Sequence, residues 1–361
     1  GSFNVAVGRE SLANNTTASN NTAVGYQAGY TNTTGTGLVA LGTYAMYSNT
    51  TGIHNVAVGR GSVYFNTTGN YNVGIGSEDS SGYPALYRNT TGANNVAMGN
   101  GALGQNTTAS ENVAVGYQSM YTNTTGTLNT AVGTYASYGN TTGSYNTSIG
   151  RAALYVNTTG SYNTALGYQA LQSNTTASSN TAVGYQSAYY LNTDNNTAVG
   201  YFALKGNSGG ITGQFNTAVG VSSLNAVSSG GSNAAFGHNA LGANTTGSSN
   251  TAIGGLDAGT FSAMYANTTG SYNTAVGSGA LKSNTSASAS TVVGYQAGYG
   301  STAAGNAFFG YLTGSTTTSG GDNAAFGTNA LNKNNTGANN TAVGTDALYF
   351  NTASNTTAVG Y

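Results

Sequence analysis

In twenty-one copies along this 361-residue chain an apolar residue immediately precedes a marker glycine, and fourteen of the twenty intervals are seventeen residues. The marker runs from Val7-Gly8 through Val24-Gly25, Leu41-Gly42 and Val58-Gly59 to Val359-Gly360. A fixed short period is the signature of one supersecondary unit stacked many times. A unit this small cannot bury its own apolar face, so each copy depends on its neighbours. The register therefore outranks length. A chain this long would ordinarily suggest roughly two or three domains, whereas the repeat predicts one continuous array over residues 1–361.

With the marker glycine as position 0, the unit reads Asn(−4)-Thr-Ala-apolar-Gly(0)-x-x-Ala-Leu(+4)-Tyr-x-Asn(+7)-Thr-Thr-Gly(+10). Asn163-Thr164-Ala165-Leu166-Gly167-Tyr168-Gln169-Ala170-Leu171 is a clean copy. Position −1 is apolar in all twenty-one copies, −2 is alanine in seventeen and −4 is asparagine in eighteen. Helical-hairpin repeats need about 33 residues or more. Asn, Thr, Gly and Tyr are poor helix formers, while Thr, Tyr and Val suit strands. The predicted fold is all-β: a parallel β-solenoid of about 21 coils with a 17-residue repeat. Each coil is expected to hold two or three short strands, and successive coils to pair at ~4.8 Å.

Strand alternation sends −1 to one side and −2 and 0 to the other. The simplest assignment points the invariably apolar −1 residue and Leu(+4) inward. Ala(−2) and Gly(0) then form an outer strip of small side chains that another chain can approach. Two large side chains per coil yield ~1.5–3 kcal/mol each, against ~1–2 kcal/mol for every residue ordered. Backbone ladders, stacked asparagine amides and a partner chain are expected to supply the remainder. Tyrosines recur at +5 (Tyr30, Tyr47, Tyr64, Tyr87, Tyr121) and at +1 (Tyr26, Tyr117, Tyr168, Tyr185). These rows predict aromatic ladders, serving strand packing or a sugar-binding strip.

The register breaks in a few places. Two intervals are 23 residues, Gly76–Gly99 and Gly254–Gly277, through six-residue insertions within 77–88 and 255–266. Insertions in solenoids become loops on one edge, and a plain solvated loop is expected at each. The first holds the chain's one proline, Pro84, and the acidic pair Glu78-Asp79; two acids are too few for a calcium site. Around Val221–Gly237 and Gly294–Gly327 the Asn-Thr-Thr-Gly turn gives way to Ser/Gly-rich turns, and Phe236, Phe309 and Phe326 replace valine at −1. That exchange reads as volume compensation in the interior.

Composition removes several function classes. A net charge of −1 gives no electrostatic footprint for nucleic acid or an anionic membrane. Without cysteine there are no disulfides or thiolate metal sites. No apolar run approaches ~20 residues, so no helical membrane insertion is expected. His54 and His238 are too far apart in sequence to suggest a metal pair. The serines have no base to activate them, and the Gly-x-Gly runs lack the lysine or the helix of a phosphate loop. The sequence thus predicts no catalytic residue, no cofactor and no metal, and the chain reads as non-enzymatic. Glu78-Asp79 is the sole adjacent acidic pair, too little for the carboxylates of a polysaccharide-cleaving enzyme.

Many Asn(+7) residues open Asn-x-Thr/Ser sequons: Asn15, Asn32, Asn49, Asn66, Asn89, Asn106, Asn123, Asn140, Asn157, Asn174, Asn244, Asn267 and Asn284. In a secreted chain from a glycosylating host these are candidate N-glycosylation positions on exposed loops. The same tetrapeptide is also good turn chemistry in its own right. Thr(+8) and Thr(+9) are adjacent and point apart, a poor match to a flat ice-binding face.

The strip Asn-Thr-Ala-Val-Gly-Tyr-Gln-Ala-Leu resembles the YadA-like head repeats of trimeric autotransporter adhesins. It is similar as well to longer repeats of phage tail-fibre and environmental surface proteins. The resemblance spans essentially the whole chain, with a period longer here than in the head repeat. It implies a parallel β-roll, trimeric, on an extracellular fibre that contacts surfaces; no site residue carries over. The expectation is an extracellular structural fibre, filament or adhesin stalk on a cell or virion surface. It would self-assemble as a homotrimer or head-to-tail filament and contact cell-surface or matrix glycans. The alternative is a receptor-binding tail-fibre module of a phage, followed by a carbohydrate- or ice-binding solenoid. The first and last coils keep the interior pattern (Ala6-Val7 and Ala358-Val359), which suggests an array that continues covalently or by stacking.

Overall fold

A computed structural model of the chain describes residues 1–78, 82–255 and 261–361. The fold is all-β, with twenty-one three-residue strands among the described residues. They fall in two compact units, Gly1–Ser179 and Asn180–Tyr361. The first holds ten strands, Val5–Val7 to Thr164–Leu166, and the second eleven, Thr181–Val183 to Thr357–Val359. Within each unit every strand lies parallel to, and in register with, the strand one repeat further on. Ala23 stands opposite Ala40 and Ala40 opposite Ala57. In the second unit Ala198 stands opposite Ala218 across a longer interval of the chain. Each unit is therefore a parallel β-solenoid with the expected repeat.

Each coil carries one regular strand rather than two or three. The reason is the backbone between strands, which turns left-handed at +2, +4 and −5 (Gln27 φ 52°, Leu103 φ 50°, Tyr145 φ 59°) and so cannot stay extended. The coils still pair outside the strands: Leu12 N–H donates to Ala28 O at 3.0 Å and Thr16 N–H to Thr33 O at 3.2 Å. The marker glycine is compelled twice over. Its φ lies between +119° and +157°, and a Cβ on Gly133 would sit 2.7 Å from Gly150 O of the next coil. A left-handed leucine at +4 costs on the order of 1–2 kcal/mol. Burial of its side chain, worth ~1.5–3 kcal/mol, offsets that, and Leu103 and Leu154 are fully buried.

The inward assignment of Leu(+4) holds, but the faces of the strand are the reverse of those expected. Ala23, Ala57, Ala114 and Ala165 at −2 are fully buried, whereas Val24, Met98 and Phe326 at −1 are 38%, 41% and 43% exposed. The interior is too narrow for the expected arrangement. At Gly74, which takes the −2 place of alanine, a Cβ would sit 2.4 Å from Val63 Cγ2. Opposite the strand one large side chain per coil fits, at +4, and the strand facing it is held to a methyl group. Phe236 and Phe326 accordingly lie on the outer face and do not fill the core; Phe309 and Phe326 stack there at 5.0 Å. Volume compensation occurs one residue away, at the fully buried Phe308 in the −2 place. The facing +4 residues are Gly298 and Gly314, and a Cβ on Gly314 would lie 2.5 Å from the Phe308 ring.

Candidate functional site

Two rows of asparagine run through the interior. In the +7 row, where successive coils carry asparagine as from Asn66 to Asn123, the amide nitrogen donates to the amide oxygen of the preceding coil: Asn89 to Asn66 at 2.7 Å, Asn106 to Asn89 at 2.8 Å, Asn123 to Asn106 at 3.1 Å. The same nitrogen also donates to the carbonyl three residues ahead, as Asn106 does to Ala109 O at 3.0 Å. In the −4 row the amide oxygen accepts the backbone N–H of the next coil, as Asn95 does from Asn112 at 3.0 Å. Asn95 Nδ2 donates to Ala109 O as well, at 2.8 Å. Both rows thus clamp one turn carbonyl, and inside an unbroken run such as Asn66 to Asn123 the buried amides are satisfied by repetition.

This places the sequon asparagines where an exposed-loop reading does not put them. Asn32, Asn49, Asn66, Asn89, Asn106, Asn123, Asn140, Asn157, Asn174, Asn244, Asn267 and Asn284 are all buried, and Asn15 is half-buried. A glycan attaches at Nδ2, the atom that donates into the ladder. In the folded coil these residues hold the turn and the stack, and a glycan would have to displace them. In the second unit the row changes chemistry as a block. Leu191, Ile211 and Val227 occupy it, all buried, with Leu191 bridged to Ile211, before Asn267 and Asn244 resume the ladder at 2.8 Å. Exchanging neighbours together avoids stranding an unpaired amide between them.

The outer strand face is built from positions −3 and −1. Along both units −3 is valine, threonine or alanine and −1 is valine, leucine, isoleucine, methionine or phenylalanine; neither position ever carries a charge. The result in each unit is an uncharged strip whose −1 row is apolar throughout and largely half-exposed.

The expected tyrosine stacks are present. In the first unit Tyr30–Tyr47, Tyr47–Tyr64 and Tyr64–Tyr87 have ring centroids 5.2, 5.0 and 5.4 Å apart. Tyr121–Tyr138 and Tyr138–Tyr155 follow at 5.5 and 5.4 Å. Gly104 occupies +5 between these runs, and the insertion closes the gap. Tyr83 stacks 4.9 Å from Tyr87 and 6.1 Å from Tyr121, and Pro84 is buried beside it. The described part of this insertion is thus packed rather than simply solvated. The +1 row stacks at Tyr185–Tyr201 and Tyr295–Tyr311. A further row at −5, where Tyr145 and Tyr162 stack at 5.0 Å, was not anticipated; the recurring Ser-Tyr-Asn triplet before the strand was its signal. Burial raises the pKa values of Tyr64 and Tyr138 above the usual phenol value, and the neighbouring tyrosines of the stack reinforce the shift.

Beside this stack lies a groove of about 620 Å³ lined by Ser48, Phe65, Thr67, Tyr83, Tyr87, Arg88, Thr90 and Thr107. Arg88 is exposed; it donates to Tyr83 Oη at 2.7 Å and lies 4.9 Å from the centre of the Tyr83 ring. Phe65 is 40% exposed and meets Tyr87 edge-on at 5.0 Å.

The remaining candidates are dispersed. Glu78 pairs with Arg60 at 2.7 Å, while Asp79, the other half of the acidic pair, lies outside the described residues, as do Leu256–Thr260 of the second insertion. His54 stacks on Tyr71 at 5.3 Å, and His238 belongs to the other unit. Ser11 and Ser62 donate to backbone carbonyls of the next coil. Among the described residues no group of three His, Cys, Asp or Glu side chains is placed to hold a metal ion. No helix among them is long and apolar enough to cross a membrane. The chain matches no family model and no curated protein sequence.

Proposed function

We propose that the chain is a non-catalytic structural and adhesive array of an extracellular or virion-surface fibre, acting through its repeated faces and associating with copies of itself. The observation that carries this reading is the outer strand strip. Large contiguous apolar patches on a protein surface mark contacts, and here each unit exposes apolar tips at every −1 position without one interspersed charge. The interior asks for the same thing: most coils bury one large side chain, so further apolar burial has to come from outside the coil. Location at a surface rests on the resemblance of the repeat to adhesin heads and tail fibres.

The test is association of the purified chain, followed by sedimentation and electron microscopy. Substituting Val58, Val115 and Val132 together by lysine places charge on the strip and leaves the interior untouched. The wild-type chain should form defined oligomers or filaments, and the triple variant should keep its β spectrum while sedimenting as a smaller species. A wild-type chain that stays monomeric at every accessible concentration would overturn the proposal.

A further inference from the structure

We infer that the groove between Phe65, Tyr83, Tyr87 and Arg88 is a binding subsite for an acidic saccharide, a pyranose bearing a carboxylate. It is a discrete site at the first insertion, and it stands whether or not copies of the chain associate.

The repeat supplies one wall. Thr67, Thr90 and Thr107 occupy the same +8 place one coil apart and face the groove. Their hydroxyls donate in sequence to the next carbonyl, Thr67 to Thr90 O and Thr90 to Thr107 O, both at 3.0 Å. Each hydroxyl keeps lone pairs to accept from a ligand. This wall therefore presents a line of neutral acceptors at the coil spacing.

The other wall exists because the repeat is broken. The insertion carries Tyr83 onto the tyrosine stack, and Phe65 and Arg88 stand at +6, where neighbouring coils carry Ser48 and Gln105. Tyr83 and Arg88 hold each other through the Oη bond and the ring contact. That contact uses one of the five guanidinium donors, and among the described residues no carboxylate pairs with Arg88. The exposed Phe65 and the half-buried Tyr83 and Tyr87 beside a hydroxyl-accepting wall match a pyranose, which has a C–H face for the rings and an edge of donors for the threonines. The guanidinium donors that Tyr83 does not use match a carboxylate, which they can bind in a bidentate fork. The second unit builds a related corner by the same means: Phe261, at the equivalent place of the second insertion, lies 6.4 Å from Tyr299. Lys282 Nζ sits 4.9 Å from the Tyr299 ring centre. Both insertions thus bring a ring to a cation beside the tyrosine row.

The experiment titrates the full chain with an oligogalacturonate and, in parallel, with its fully methyl-esterified form, following tyrosine fluorescence and heat. The oligogalacturonate should bind saturably, and esterification should weaken it at least about tenfold, the scale of one charge-assisted contact. Arg88→Gln should weaken the acidic ligand by a similar factor and leave the ester unchanged, whereas Arg88→Lys should restore part of the loss. Phe65→Ala should weaken both ligands. Arg88 is exposed, so its variants keep the fold, and an unchanged β spectrum confirms it. Failure of the oligogalacturonate to bind, equal binding of acid and ester, or an Arg88→Gln variant that binds as well as wild type would each overturn the site. So would displacement of the oligosaccharide by equimolar inorganic phosphate, which would reduce the groove to a bare anion contact. None of these outcomes bears on self-association, which is read separately by sedimentation.

Discussion

Asn106 donates to Asn89 and to the carbonyl of Ala109, and it accepts from Asn123. Replacing it by leucine removes all three bonds and leaves Asn89 Oδ1 and one Asn123 amide hydrogen unpaired in the interior. Stranded buried polar groups cost about 1–3 kcal/mol each, so Asn106→Leu is expected to destabilise the first unit by about 2–4 kcal/mol, read as a lower urea midpoint. The natural run Leu191, Ile211 and Val227 is apolar at the same position, so the penalty belongs to the mismatch and not to the apolar residue. A single-site variant with wild-type stability would show that the ladder contributes nothing. The marker glycine gives a second expectation at this scale. Gly133→Ala forces a Cβ toward Gly150 O at a φ of 133°, and it should cost on the order of 2 kcal/mol or more in the same assay. Alanine tolerated there would mean that the coils can move apart.

At the scale of the elements, the tyrosine stack links stability to pH. Tyr64 and Tyr138 have raised pKa values, from burial first and neighbouring tyrosines second. Below the unfolded phenol value of 10.0 both states are protonated and the stack contributes fully. As pH rises past that value the unfolded chain ionises first, and the stability is lost progressively through the folded pKa values. The first unit should therefore unfold more readily above pH 10.0, with tyrosinate absorbance appearing later for the stacked rings than for exposed ones. Tyr64→Phe with Tyr138→Phe should blunt that alkaline loss; an identical profile in the double variant would sink the link. The repeat, the parallel register, the stacks and the inward Leu(+4) were all legible in the sequence. The faces of the strand were not, although the information was present. Position −1 ranges from valine to phenylalanine, as an outer face allows, while −2 is almost always alanine, as a narrow interior requires. Apolar constancy suggested burial there, and constancy of size was the better guide. The groove was illegible for another reason: Gly104 and Tyr83 are far apart in register, and only the folded insertion shows that one ring fills the gap left by the other coil.

For the molecule as a whole, the scarcity of charge decides how association should respond to solvent. Seven basic and eight acidic side chains serve 361 residues, and none stands at −3 or −1 of a strand. A contact made through those positions has no ion pair to screen, so raising sodium chloride past the point where the Debye length falls below ~8 Å should leave it intact. Contacts driven by apolar burial strengthen when sulfate is excluded from the surface, and they weaken on cooling. Association of the purified chain is therefore expected to be flat in sodium chloride, to rise with ammonium sulfate and to fall in the cold, all measured by light scattering at one protein concentration. The Val58, Val115 and Val132 lysine variant supplies the contrast: whatever association it retains should become salt-sensitive, because charge now stands on the strip. Dissociation of the wild-type assembly by moderate sodium chloride would point instead to the few ionic groups, such as Arg60–Glu78, and would move the contact off the strand face altogether.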